Sequence, residues 1–416
     1  MKEGLVSEDI IDQMCRNILL AKYRLGLFED PFRYEGAERF AKAIYRPENM
    51  EIARSLARES MVLLKNNDDV LPLENGERIA LIGPYINCGK SMIGTWTAFG
   101  EIDRAVTIEA GFKERFPGKV NAVNGCDPYN HIEGGMAQAV RAARNADVAV
   151  LTLGLHGNIS GESSSLTTVE LPQVQKELLA AVKATGKPVV VLLVTGRAMA
   201  LESVENLMDA CMVVWHPGTM GGTAVADLVS GDFSPSGHLV MSFPRCDGQI
   251  PIRYNYKNTG RPTDRVPPAP THKCRKPFNS SYMFTPNSPL YPFGYGLSYT
   301  KFEFTALEIP TPEVKMGENV TVKAVVRNTG KVDGATVAQL YIRDLVASTT
   351  RPLRELKGFK KVYLKAGESA DLEFTLTPED LAFCREDMKY AQEPGEFSVW
   401  VGDSSEAELT ARFLVK

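Results

Sequence analysis

The sequence predicts two successive folds, a doubly wound α/β sandwich and an antiparallel β-sandwich. Between residues 78 and 247, short runs that are apolar throughout alternate with stretches of helical periodicity. That pattern is typical of a parallel sheet covered by helices on both faces. After about residue 303, apolar and polar residues alternate between turn signals, which is typical of an immunoglobulin-like or fibronectin-type sandwich. At 416 residues the chain is long enough for two or three cores.

The first segment, residues 1–34, has the pattern of one amphipathic helix. Ser7 is a predicted N-cap followed by two acidic residues, and Gly26 is a predicted helix stop. The apolar residues at helical spacing are Ile10, Ile11, Met14, Ile18 and Leu19. So wide an apolar face requires another element to bury it.

Residues 35–77 are interpreted as a linker and entry segment, and residues 78–247 as the α/β domain. Six apolar runs are the candidate strands of that domain, namely Ile79–Ile82, Val106–Ile108, Val120–Val123, Val148–Leu153, Val189–Val194 and Ala210–Trp215. Helices are predicted near 134–145, 172–185 and 221–229.

Residues 248–302 are rich in Pro, Tyr, Asn and Ser, and we expect an extended linker there. Residues 303–416 form the predicted β-sandwich. Its candidate strands are Val320–Val326, Thr336–Ile342, Asp371–Leu376, Phe397–Val401 and Leu409–Leu414.

Composition excludes several classes of partner. A formal net charge of −4 argues against nucleic acid and anionic membranes, and no apolar run approaches the ~20 residues of a membrane-spanning helix. The seven cysteines form no Cys-x-x-Cys pair, which favours free and mostly buried thiols. The five histidines show no metal-ligand spacing, so we expect no metal and no cofactor.

One carboxylate, Glu162, lies in a small-residue loop between the apolar run 148–153 and the helix that opens near Pro172. Functional groups of α/β sheets lie on loops of this kind, although most carboxylates on loops are simply solvated, and position alone favours that interpretation. Nucleotide-binding motifs and the Gly-x-Ser-x-Gly elbow of esterases are absent from the sequence.

Two aromatic residues, Trp96 and Phe99, follow the first predicted strand. Their flat rings suit either stacking on a sugar or packing at a domain interface. Arg104, Arg197 and His216 lie near strand ends, where we interpret them as structural hydrogen-bonding residues.

Several ordered segments resemble the C-terminal part of bacterial, periplasmic-type β-glucosidases of glycoside hydrolase family three. The most specific is Tyr-Pro-Phe-Gly-Tyr-Gly-Leu-Ser-Tyr at 291–299. The others are Arg58–Asn66, Leu71–Leu73, Ile79–Pro84, Gly94–Trp96, Lys187–Leu192, Gly218–Gly222, Pro235–Leu239, Ser242–Pro244 and Leu356–Phe359.

The resemblance implies that the β-sandwich is a fibronectin type III-like domain and that residues 1–34 are the end of a (β/α)₈ barrel. In this family the barrel carries the nucleophilic Asp in a Ser-Asp-Trp-like motif, and none of the three tryptophans here follows an Asp. The acid/base Glu of the family aligns with Glu162. Relatives commonly carry an Arg shortly after this Glu, where this chain has Leu166, and we expect this difference to affect either the anchorage of the loop or the leaving-group site.

The resemblance therefore implies a retaining β-glucosidase-like hydrolase that acts on terminal β-D-glucosyl residues. The chain would supply the acid/base but not the nucleophile, and we expect it to be inactive without a barrel provided in cis or in trans. Its partners would be that barrel and a β-glucoside or oligosaccharide substrate. The alternative is a non-catalytic module that binds carbohydrate or protein. The N-terminus lacks a signal-peptide pattern, which indicates a cytoplasmic chain as it stands, whereas relatives are often periplasmic or secreted.

Overall fold

The computed structural model describes residues 4–263 and 278–416. The part of the predicted linker at 264–277, with Cys274, lies outside the described residues. The chain divides into two compact units, one ending at Ile52 and one running from Ala53 to Lys416. No helix among the described residues combines the length and apolarity needed to cross a membrane.

The first unit is helical, with no closed barrel among its described residues. It contains α1 (Glu8–Arg24), α2 (Ala37–Ala43) and the beginning of α3 (Pro47–Ser60). The prediction that Ser7 precedes the first helix is confirmed, although its side chain makes no capping hydrogen bond. Gly26 ends the helix with a φ of +67°. The amides of Gly26 and Leu27 donate to the carbonyls of Tyr23 and Lys22, at 2.8 and 3.0 Å, which is a Schellman motif.

The apolar face of α1 is exposed within this chain. Ile10, Met14 and Ile18 are 53%, 62% and 60% accessible, and no residue of the helix is buried. The sequence argument that this face needs a partner therefore still applies to the described structure.

The α/β domain is built on a six-stranded sheet. Its strands are β1 (Val62–Asn66), β2 (Ile79–Ile82), β3 (Val120–Val123), β4 (Val148–Gly154), β5 (Val189–Val194) and β6 (Ala210–Val213). Their order is β1-β6-β5-β4-β2-β3. All neighbours are parallel except β1, which pairs antiparallel with β6 at the edge. The helices of this domain are α4 (Gly89–Ile93), α5 (Ile108–Arg115), α6 (Gly135–Arg144), α7 (Gln173–Lys183) and α8 (Gly221–Val229).

Both faces of this sheet are covered. Every residue of β4 and β5 is buried. Along β5, Val191 and Leu193 belong to one apolar cluster, while Leu192 and Val194 belong to another. Alternate side chains of a strand point to opposite faces, so each cluster fills the space between the sheet and one helical layer. The predicted doubly wound sandwich is confirmed.

One predicted strand is wrong. The run Val106–Ile108 forms no strand, because Thr107 is the N-cap of α5 and its hydroxyl accepts a hydrogen bond from the amide of Ala110 at 3.3 Å. The amide of Val106 instead bonds to the carbonyl of Thr219 at 2.8 Å. Strand β1, within the segment interpreted as a linker, was not predicted.

The second fold is a β-sandwich, as predicted. Its elements are β7 (Phe302–Glu308), β8 (Glu313–Val314), β9 (Val320–Asn328), β10 (Gly334–Asp344), β11 (Glu355–Leu364), β12 (Ser369–Leu376), α9 (Pro378–Leu381), β13 (Phe383–Cys384), β14 (Tyr390–Ala391), β15 (Gly395–Gly402) and β16 (Thr410–Val415). One sheet has the order β11-β10-β15-β16-β8 and the other β12-β9-β7, with β13 and β14 forming a separate pair. Burial alternates along β9 and β12.

Polar contacts join the sandwich to the α/β domain. The imidazole of His238 accepts from the amide of Val337 in β10 at 3.3 Å and bonds to the carbonyl of Gly294 at 2.6 Å. Gln339 of β10 donates to the same carbonyl at 3.0 Å and to that of Asp403 at 2.6 Å. The bonds to His238 and Gly294 attach β10 to the α/β domain and to the segment just before the sandwich, whereas the bond to Asp403 lies within the sandwich.

The six described cysteines are free thiols. The prediction that most are buried is wrong for this set. Cys126 and Cys211 are buried, Cys88 and Cys246 are partly exposed, and Cys15 and Cys384 are exposed.

Candidate active site

The loop that carries Glu162 leaves the sheet at Gly154, the last residue of β4. Gly154 has a φ of +133°, and a Cβ atom there would lie 2.0 Å from the carbonyl oxygen of Val194. Only glycine fits this combination of backbone angle and close approach. The path of the chain after β4 therefore depends on close contact with the end of β5.

Two buried side chains fix the direction in which the chain leaves β4. The amide group of Gln175, in α7, accepts from the Gly154 amide at 2.7 Å and donates to its carbonyl at 3.0 Å. The hydroxyl of Tyr85, after β2, donates to the same carbonyl at 3.1 Å. Burial holds the pKa of Tyr85 far above its usual range, so this hydroxyl stays a neutral donor.

The middle of the loop is held by Arg197, which follows β5. Its guanidinium Nη2 donates to the carbonyl of Ile159 at 2.7 Å and to that of Ser164. On the other side the loop packs on Thr95, because a Cβ atom at Gly161 would lie 2.7 Å from the Thr95 Cγ2. The Thr95 hydroxyl also donates to the carbonyl of Gly157. The loops after β2, β4 and β5 thus meet at the carboxyl edge of the sheet.

Glu162 lies between these anchors and is exposed. Within the described parts of the chain its carboxylate makes no hydrogen bond or ion pair, although its carbonyl accepts from the Ser164 hydroxyl at 3.2 Å. Ser163 adopts a left-handed φ of +57°, which turns the chain sharply after Glu162. By contrast, Glu170 at the end of the loop is paired with Lys176. Of these two carboxylates only Glu162 is free to meet another molecule.

Leu166 follows Glu162 on the same loop. Its side chain packs against the apolar cluster that also contains Leu171. Anchorage of the loop in this chain therefore comes from Arg197 and from apolar contact. The assignment of Arg197 as a hydrogen-bonding residue was correct, but the carbonyls that it binds were not predicted.

His156 lies at the start of this loop, close to the thiol of Cys88. His156 accepts from the amide of Asn158 through Nδ1 at 3.2 Å, so its proton is on Nε2, 3.8 Å from the Cys88 Sγ. Burial and the charge of Lys90 lower the pKa of His156. His216 bonds through Nδ1 to the carbonyl of Ser91 at 2.7 Å, and burial lowers its pKa too. Both imidazoles are therefore neutral at pH 7, and their contacts are structural.

The two predicted sugar-stacking residues lie on the loop that follows α4. Trp96 is 73% accessible and Phe99 is fully exposed. Neighbouring Thr95 contacts the Glu162 loop, so this aromatic loop borders the candidate site. Arg104, farther along the same connection, is paired with Glu101.

No group of three or more His, Cys, Asp or Glu side chains converges as metal ligands within residues 4–263 and 278–416. Glu162 contributes a free carboxylate on an anchored loop to this edge of the sheet.

Comparison with known proteins agrees with this architecture. The model of the glycosyl hydrolase family 3 C-terminal domain matches residues 61–299, and that of the fibronectin type III-like domain matches residues 336–405. The periplasmic β-glucosidase of Salmonella typhimurium is 38% identical over 97% of this chain and 55% of its own length. A β-xylosidase of Formosa agariphila is 35% identical over 96% and 54%.

A solved structure shares the fold. The β-glucosidase of Listeria innocua in complex with isofagomine superposes with a TM-score of 0.90 at 38% identity, covering 100% of this chain and 56% of that one. The chain thus spans about half the length of the relatives that it matches. Because the first family model alone covers more than half of the chain, this protein belongs to glycosyl hydrolase family 3 and contains the family's C-terminal domain followed by a fibronectin type III-like domain.

Proposed function

We propose that this chain is the C-terminal part of a retaining β-glucosidase-like hydrolase in which Glu162 is the acid/base. The observation that supports the proposal is a free, exposed carboxylate on a loop anchored at the carboxyl edge of the sheet. Ligands of open α/β sheets bind at that edge. The Salmonella and Listeria relatives are named β-glucosidases, so the proposed substrate is a β-glucoside or oligosaccharide with a terminal β-D-glucosyl residue.

The chemistry requires a second carboxylate. In a retaining glycosidase the acid protonates the leaving oxygen while a nucleophilic carboxylate, about 5–5.5 Å away, attacks the anomeric carbon. Glu162 would then act as a base, removing a proton from the water that hydrolyses the glycosyl-enzyme intermediate. The nucleophile is proposed to come from a barrel domain, in cis or in trans, since the relatives extend well beyond the matched region. Without that barrel we expect negligible turnover.

Trp96 and Phe99 are proposed to contact the sugar on the leaving-group side. Their exposure supports this role, because an aromatic face offers a stacking surface to the apolar face of a pyranose. They border the Glu162 loop through Thr95.

The acid/base assignment is tested by replacing Glu162 with Ala in an enzyme whose barrel has been restored by fusion or co-expression. Hydrolysis of cellobiose should slow by about 10²–10⁴-fold, because a sugar cannot depart unprotonated. A dinitrophenyl glucoside needs little protonation, so its intermediate should still form and then accumulate. Added azide, a nucleophile that needs no base, should restore turnover and yield β-glucosyl azide, detected by mass spectrometry.

Glu170→Gln is the matched control, because Glu170 lies on the same loop but is paired with Lys176. It should keep both activities. If Glu162→Ala loses activity equally on both substrates without azide rescue, and Glu170→Gln shows the selective loss instead, the acid is Glu170 and the assignment is wrong.

The second candidate is a non-catalytic module that binds carbohydrate. The two exposed aromatic residues favour it, because they present a sugar-stacking surface that needs no nucleophile. The genomic sequence upstream separates the two candidates, since a barrel with a Ser-Asp-Trp-like motif, in frame or adjacent, supports the hydrolase.

A further inference from the structure

The turn that carries Arg197 is closed by hydrogen bonds to the buried Thr195. Thr195 is fully buried. Its hydroxyl accepts from the Arg197 amide at 3.0 Å and donates to the Arg197 carbonyl at 3.1 Å. The backbone from which the Arg197 side chain projects is therefore fixed directly to the end of β5.

The guanidinium of Arg197 binds the main chain on both sides of Glu162. The two carbonyls that it binds belong to Ile159 and Ser164, three residues before and two residues after Glu162. Hydrogen bonds from a charged donor are stronger than neutral ones. One cation thus holds both ends of the six-residue segment that contains the carboxylate.

Packing leaves this segment little room to shift. A Cβ atom at Gly196 would lie 2.8 Å from the Cβ of Ser160, so the turn after β5 and the loop after β4 are in close contact. On the opposite side, Gly161 lies against Thr95. The position of the Glu162 backbone is set jointly by these contacts and by the Arg197 hydrogen bonds.

We propose that Arg197 is the positioning residue of the acid/base, holding the main chain on either side of Glu162 so that its carboxylate meets the glycosidic oxygen. The inference rests on the proposed function of Glu162. Loss of the guanidinium would leave the segment held by packing and by the short-range hydrogen bonds that the amides of Ile159 and Ser160 donate to the carbonyls of His156 and Gly157. A 1 Å misplacement of a catalytic group costs about 10²-fold in rate.

The test uses Arg197→Met and Arg197→Lys in the barrel-restored enzyme. Arg197→Met should lower kcat/KM for cellobiose by about 10²-fold, while formation of the intermediate from a dinitrophenyl glucoside falls much less. Arg197→Lys should recover part of the cellobiose activity, because an ammonium group can still donate to a carbonyl. The thermal midpoint of each variant is measured alongside.

Arg78→Met is the matched control. Arg78 binds Asp147 through its guanidinium at 2.6 Å and stands at the amino end of β2, away from the Glu162 loop. The ratio of the two activities should not change in this variant.

The outcomes separate the two ideas. If Arg197→Met slows both substrates equally while Glu162→Ala keeps its selective loss, Arg197 is only structural and this inference is wrong. If Glu162→Ala shows no selectivity, the proposed function itself fails. Should Arg197→Met not fold, the same ratio measured on Arg197→Lys decides, because a positioning role requires a selective loss there too.

Discussion

The two folds of this chain differ in how their strands are buried, and that difference determines where a functional site can form. In the α/β domain, β4 and β5 are buried along their whole length. In the sandwich, β9 and β12 alternate between buried and accessible residues. A parallel sheet covered on both faces sends all the loops that follow its strands to one edge. An antiparallel sandwich distributes its loops between two ends.

The consequence is visible in the contacts. Loops after β2, β4 and β5 converge through Thr95, Gly161 and Arg197. The sandwich instead contacts the rest of the chain through β10, where the Val337 amide donates to His238 of the α/β domain and Gln339 donates to the carbonyl of Gly294. The first fold therefore supplies the candidate chemistry, and the second is attached to it through β10.

The largest expected effect is on stability, and it compares strand β5, whose two faces are both buried, with strand β12, which is buried on one face only. Leu192→Ala and Leu193→Ala should each lower the free energy of unfolding by about 2–5 kcal/mol, because they belong to different buried clusters. In β12, Phe374→Ala should cost about 3–5 kcal/mol, while adjacent Thr375→Ala should stay within about 0.5 kcal/mol because it is exposed.

These values are measured by denaturant unfolding followed by tryptophan fluorescence, since Trp215 lies in the α/β domain and Trp400 in β15. A cost below about 0.5 kcal/mol for either leucine, the range of ordinary surface substitutions, would mean that β5 is buried on one face only.

The next effect compares two glycines with positive φ. Gly154→Ala should lower the free energy of unfolding by about 2–5 kcal/mol, because left-handed strain of about 1–2 kcal/mol adds to collision with the Val194 carbonyl. Gly367, between β11 and β12, has a φ of +80° and open space around it, so Gly367→Ala should cost only the strain. If thermal or denaturant unfolding gave the same loss of stability for both variants, Gly154 would not be in close contact with the Val194 carbonyl.

The smallest effect concerns pH at the junction between the folds. Burial lowers the pKa of His238, which must be neutral at Nε2 to accept from Val337. Because its folded pKa lies below the unfolded value of about 6.5, its contribution to stability is complete above pH 6.5 and is lost as the pH falls towards the folded pKa. The slope is at most about 1.4 kcal/mol per pH unit. Nearby Asp403 opposes this shift and Lys361 adds to it.

Thermal unfolding of the native chain and of His238→Gln between pH 7.5 and 5 checks this prediction. The native chain should lose more stability over that range. Asp344 acts in the opposite direction, since burial raises its pKa to about 6 and its protonation stabilises the fold as the pH falls. Asp344 is present in both proteins, so its contribution cancels in the difference. Identical pH slopes would show that His238 does not couple the two folds.

Local sequence determined most of the secondary structure. Helices α6, α7 and α8 and the buried strands β4 and β5 lie within a few residues of their predicted limits, because continuous apolar runs and helical periodicity are properties of the chain itself. The strand predicted at Val106–Ile108 was wrong. Three apolar or β-branched residues in a row look the same in the sequence whether they form a short strand or lead into a capped helix. Strand β11, Glu355–Leu364, carries three lysines, so nothing but its pairing with β10 identifies it. The predicted domain limits stay predictions.

The candidate site divides in the same way. Sequence selected Glu162 as a candidate through the family resemblance, since its position after a buried strand and before a helix would also suit a solvated loop carboxylate. The tertiary structure alone decided what holds it, since the carbonyls that Arg197 binds come from a segment more than thirty positions away in the chain. A backbone carbonyl has no residue-specific signal in a sequence. Its availability depends on where the fold leaves it unpaired, and only packing of the loops at the sheet edge determines that.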